Sequence, residues 1–135
     1  MRPINLIIIH CSAVKPTQTS SAKQIDAWHK AQGWKCIGYH YVVRRDGTIE
    51  VGRPESQIGA HTSGFNSQSI GVCYEGGLDQ NGNASDTRTL QQKTALISLL
   101  KELKTRYPSA AIKGHNNFSN KACPCFDAFS AYKNI

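Results

Sequence analysis

Apolar and polar positions along the chain change period several times, and each change marks an element. Ile4 to His10 is a mostly apolar run of β-favouring residues, as expected of a strand buried on both faces, with His10 at its end. Ser21 followed by Gln24 has the form of a capping box. Ile25, Trp28 and Gln32 then recur at helical spacing until Gly33 ends the pattern. Tyr39 to Val43 and Ile49 to Gly52 are β-rich segments joined through Arg45-Asp46-Gly47-Thr48, an Asp-Gly turn that predicts a β-hairpin. Ser69 to Tyr74 predicts a further strand, and Gly76 to Asp86 is rich in turn residues. Thr89 and Gln92 form a second capping box. It opens a helix whose stripe of Leu96, Leu99, Leu100, Leu103 and Tyr107 ends before Pro108. Ala110 to Lys113 predicts a short strand, and Asp127 to Tyr132 a last helical turn or two.

These elements describe one α/β unit over residues 1–135, with no internal repeat or linker dividing it. A length of 135 residues is enough to close a core without disulfide staples. The uninterrupted apolar run Leu6 to Ile9 is far short of the roughly 20 residues of a membrane helix. It also lacks the length of an export signal, so no membrane association is expected. A net charge of +7 favours a polyanionic partner, for which nucleic acid and an anionic cell wall both qualify. The basic residues are scattered in ones and twos without a nucleic-acid-binding signature, which disfavours nucleic acid. The five cysteines are an odd number without an export signal, so reduced thiols or metal ligands are expected rather than a disulfide framework.

Candidate metal ligands are the place where chemistry enters. A catalytic zinc site uses three protein ligands drawn from His, Cys and carboxylates and leaves a fourth position for water. His10 ends a predicted strand, and His115 and Cys123 flank a loop after another, so sheet pairing could bring them together. Taken singly, His10 reads rather as a satisfied strand-end histidine and Cys123 as a small buried hydrophobe.

The segments Ile9-His10-Cys11-Ser12-Ala13, Gly38-Tyr39-His40-Tyr41, Arg45-Asp46-Gly47-Thr48, Gly59-Ala60-His61, Gly64-Phe65-Asn66, Ser69-Ile70-Gly71-Val72 and Lys121-Ala122-Cys123-Pro124 change the picture in combination. Their order resembles that of zinc-dependent N-acetylmuramoyl-L-alanine amidases of the phage lysozyme type, in the superfamily that includes peptidoglycan recognition proteins. The resemblance runs from about Ile4 to Asp127. It implies a central mixed β-sheet flanked by helices, Zn2+ held by His10, His115 and Cys123, and Tyr39 and Lys121 as catalytic side chains. The implied reaction is attack of an activated water on the lactyl carbonyl that joins muramic acid to L-alanine in peptidoglycan. Lys121 would stabilise the oxyanion, while Tyr39 would either transfer a proton or position the water.

In the resembling family the Gly-Ala-His motif lies near the substrate groove, so His61 and Asn66 are candidate muropeptide contacts. Strand alternation sets Tyr39 and Tyr41 on one face and His40 on the other, making His40 structural, and turns Cys11 away from His10. His29 is expected to face solvent. Cys125 departs from the family pattern and is either a harmless small residue or a competing thiol that sensitises the site to oxidation. The resemblance further implies a phage or prophage endolysin, and the lack of a visible export signal fits synthesis in the host cytoplasm and release to the wall through a separate membrane pore; a monomer is expected. Some members of that branch inhibit phage RNA polymerase, which makes the polymerase a second candidate partner by resemblance alone. Competing readings are a non-catalytic peptidoglycan-binding module, a cytosolic muropeptide-recycling amidase, and a Cys-His hydrolase using Cys123 or Cys125 as nucleophile.

Overall fold

The computed structural model describes residues 2–135. Five strands form one sheet in the order β3-β2-β4-β1-β5: β1 Leu6–Cys11, β2 Tyr41–Val43, β3 Ile49–Val51, β4 Ser69–Tyr74 and β5 Ala111–Gly114. β1 pairs in parallel with both β4 and β5, β2 pairs in parallel with β4, and only the hairpin partner β3 runs antiparallel, so the sheet is mixed. Ile7, Ile8 and Ile9 of β1 are buried, as its apolar run predicted, and so is every residue of β4.

Side-chain alternation divides the core. Ile7, Ile9 and Cys11 of β1 pack with Val72 and Tyr74 of β4 against Leu96, Leu99, Leu100 and Leu103 of α2, Leu90–Arg106. The short helix α3, Ala128–Tyr132, completes this side. On the opposite face Cys73 and Val42 meet Ile25 of α1, Ala22–Ala31. Both helices open on the predicted capping boxes, Ser21 with Gln24 and Thr89 with Gln92. Gln92, buried in α2, donates from Nε2 to the carbonyls of Val43 and Glu75 and so ties the helix to the strand ends.

Three details of the sequence reading need correction. The buried side of α1 is Ile25 with half-buried His29, four residues apart; Trp28 is 42% exposed. His29 does not face solvent. Its Nδ1 accepts the Gly38 amide at 2.9 Å and its ring packs 4.3 Å from Trp34. Tyr39 lies two residues before β2 begins, where the chain is still bent. It packs on the α1 side while Tyr41 packs on the α2 side, so alternation does not relate them. His40 is structural for another reason: fully buried, it accepts the Gly71 amide at Nδ1 and lies 2.8 Å from the Gln57 carbonyl through Nε2.

No helix among the described residues is long and apolar enough to cross a membrane.

Candidate metal centre

The parallel strands β1 and β5 end side by side, and a crevice at the carboxyl ends of such strands is where α/β sheets gather ligands. His10, the fifth residue of β1, points to the α1 side because Ile9 and Cys11 point to the other. Gly114 closes β5, and the next residue, His115, opens a short 3-10 turn. Cys123 comes from the loop that follows and is tethered to β1 by the Cys11 amide, which donates to its sulfur at 3.1 Å.

One donor atom each from His10, His115 and Cys123 falls within 4.8 Å of the other two. The His10 Nδ1 to Cys123 Sγ distance is 3.9 Å. Bond lengths of about 2.0 Å to nitrogen and 2.3 Å to sulfur at tetrahedral angles imply an N···S separation of about 3.5 Å, so the pair suits a zinc ion with little adjustment. Burial, with His61, His115 and Lys121 adding to it, holds the His10 pKa well below the ordinary 6.5. Burial and then Lys121 lower His115 too. Both imidazoles are therefore neutral at neutral pH, the form that binds metal.

His115 also lines a cleft of about 610 Å³, together with Trp34, Tyr39, His61, Asn66, Phe118 and Lys121, among others. The Tyr39 ring lies 5.1 Å from that of His10. Burial, reinforced by Cys73, Cys123 and Cys11, pushes its phenol pKa well above the ordinary value, so the hydroxyl is a donor. Lys121 is exposed on the rim. The structure thus gathers all of Tyr39, Lys121, His61 and Asn66 beside the three candidate ligands.

His61 and Asn66 are engaged within the protein as well as lining the cleft. The Asn66 Oδ1 accepts the backbone amides of His61 and Thr62 at 2.9 and 2.8 Å and closes the loop between them. His61 Nδ1 lies 2.8 Å from His10 Nε2, and burial, then His40, His115, Arg2 and Arg53, push the His61 pKa down to about 3. Cys125 turns away from the candidate ligands, with its sulfur 3.8 Å from Cys11 Sγ and 3.3 Å from the Gly77 carbonyl. Burial first, then Cys11, raise its pKa to about 12, which argues against a competing thiolate.

Sequence reasoning missed Trp34 and Phe118 on the cleft. Both lie in loops where no periodicity singles them out, and only their nearness in sequence to Tyr39 and Lys121 hinted at a shared wall.

The family profile of N-acetylmuramoyl-L-alanine amidase matches residues 1–126. The chain is 48% identical over 121 residues to an endolysin of Klebsiella phage KP32, covering 90% of this chain and 80% of the relative. An endolysin of Escherichia phage T7 is 46% identical with the same coverage. Among solved structures, the N-acetylmuramoyl-L-alanine amidase LysC from Clostridium intestinale superposes with a TM-score of 0.81 at 32% identity, covering 98% of this chain and 83% of that one. Drosophila PGRP-LB, at 24% identity and a TM-score of 0.80 over 99% of this chain and 82% of its own, shares the fold. The chain belongs to the N-acetylmuramoyl-L-alanine amidase family.

Proposed function

We propose that this chain is a zinc-dependent N-acetylmuramoyl-L-alanine amidase of the phage endolysin type, hydrolysing the amide between muramic acid and L-alanine in peptidoglycan. The observation that carries the reading is the convergence of His10, His115 and Cys123 donor atoms within 4.8 Å of one another, with His115 lining an open cleft. Two neutral imidazoles and a thiolate would hold the ion and leave one position open. When bound, zinc supplies Lewis acidity, acidifying water and polarising a carbonyl.

The remaining chemistry belongs to the side chains. Lys121 brings an ammonium charge to the cleft and stabilises the oxyanion that develops on the lactyl carbonyl. Tyr39, protonated, donates its O–H toward the reacting centre and orients it. The Cys11 amide, donating to the Cys123 sulfur, holds that side chain against the end of β1. Trp34 and Phe118 offer apolar walls for a sugar or peptide, and the net charge of +7 draws the protein to an anionic wall. We further propose that it acts as a monomer, reaching the wall from the cytoplasm through a separate pore.

Metal analysis of the purified protein, paired with mass spectrometry of digested murein, tests this reading. One zinc per chain and new L-alanine amino termini are expected. Cys123→Ala should lose zinc and activity together, whereas Lys121→Ala should keep zinc and slow turnover by about 10²–10³-fold. Equal zinc loss in both variants, or cleavage at another bond, contradicts the assignment.

A further inference from the structure

His10 has two ring nitrogens with different surroundings. Nδ1 faces the Cys123 sulfur at 3.9 Å, and Nε2 faces His61 Nδ1 at 2.8 Å. A 2.8 Å gap between two imidazole nitrogens holds a single proton, so one ring must donate and the other accept. Should His61 donate, the neutral His10 carries its proton on Nδ1, toward Cys123, and has no lone pair there for a metal. Should His10 donate, Nδ1 is free to bind, and the neutral His61 carries its own proton on Nε2. That nitrogen lies 3.2 Å from the hydroxyl of fully buried Ser69, which can accept.

The fold keeps the His61 ring in this place. A Cβ on Gly71 would lie 2.6 to 2.8 Å from three atoms of the ring, and one on Gly59 would lie 2.8 Å from its Cδ2. Two missing side chains thus make the slot in which the imidazole lies against β4. Buried Thr62 adds its Oγ1 at 3.1 Å from His61 Nδ1 and 3.3 Å from His10 Nε2. Both nitrogens of His61 are engaged inside the protein, which leaves none to bind substrate even though the ring borders the cleft.

We propose that His61 is a positioning residue of the metal centre: it accepts the Nε2–H of His10, passes its own Nε2–H to Ser69, and thereby fixes the His10 tautomer that presents Nδ1 to the ion. This inference rests on the metal reading above. Groups that orient a ligating histidine typically change metal affinity by about 10–100-fold when removed.

The test is zinc affinity, measured by competition with a chromophoric chelator on the full chain, together with long-range 1H–15N spectra of the zinc-loaded protein. Wild type should bind one zinc and show His10 protonated at Nε2. His61→Ala should weaken zinc binding by about 10–100-fold. His61→Gln, whose side-chain oxygen can accept the same proton, should recover much of that loss. Unchanged zinc affinity in His61→Ala with a raised KM would move His61 to the substrate and overturn the inference while leaving the metal reading intact. A wild-type spectrum with the His10 proton on Nδ1 would overturn it even if the variants do not fold. Absence of zinc from wild type overturns both.

Discussion

Replacing Gly71 with alanine probes how the metal centre is built into the sheet. Gly71 pairs with Ile8 in the centre of the sheet, so its backbone has little freedom to yield. The new Cβ would meet His61 Cδ2 at 2.6 Å, whereas carbon atoms at optimal separation are about 3.5–4.0 Å apart, so the ring must retreat by roughly 1 Å. Such overpacking costs about 1–3 kcal/mol. With an unfolding entropy of about 2.1 cal/mol/K per residue, a chain of 135 residues loses about 3.5 °C per kcal/mol, so Tm should fall by about 4–11 °C. Thermal unfolding of metal-free protein is the assay, because it removes the contribution of ligand binding to Tm. His61→Ala empties the slot, so the double variant Gly71→Ala/His61→Ala should be no less stable than His61→Ala alone. Strictly additive losses would show that the His61 ring is not what occupies the space above Gly71 and would refute the reasoning.

Three further outcomes follow from the same geometry. Tyr39→Phe should retain zinc and lower kcat by about 10²–10⁴-fold, as loss of a positioned proton donor does; an unchanged kcat would remove Tyr39 from the chemistry. Cys125→Ser should leave zinc stoichiometry unchanged, because that sulfur faces Cys11 and the Gly77 carbonyl; loss of the metal would place Cys125 in the ligand set. Glu75 is almost fully buried, which alone would raise its pKa, but bonds from the Ser20 and Arg45 amides and from Arg44 outweigh burial and hold it below the ordinary 4.5. A depressed folded-state pKa adds stability above the unfolded value and loses it as pH falls through the folded one. Urea unfolding should therefore show Glu75→Gln less stable near neutrality, with the gap narrowing on acidification below about pH 4.5. A gap that stays constant with pH would contradict this.

Much of the fold was legible because its signals are local. The two capping boxes, the Asp-Gly hairpin, the leucine stripe of α2 and the apolar runs of β1 and β4 each follow from spacing within a few residues. The candidate ligands His10, His115 and Cys123 were reached through ordered motifs, and the structure brings them together through the pairing of β1 with β5. Errors arose where tertiary packing overrides period. Tyr39 falls before β2, so strand alternation has no bearing on it, and α1 turns His29 rather than Trp28 toward the protein because the Gly38 amide and Trp34 lie beneath its last turn. The contact between His10 and His61 spans 51 residues and depends on Gly71 in β4 as well as on Gly59 beside the ring, a relation that no local pattern encodes.

Anomalous diffraction at the zinc absorption edge, from crystals of the zinc-saturated chain, tests the central claim most directly. The account predicts a single strong peak at about 2.0 Å from His10 Nδ1, about 2.0 Å from a His115 ring nitrogen and about 2.3 Å from Cys123 Sγ, facing the cleft. A peak at other residues, or none at full zinc saturation, would contradict it.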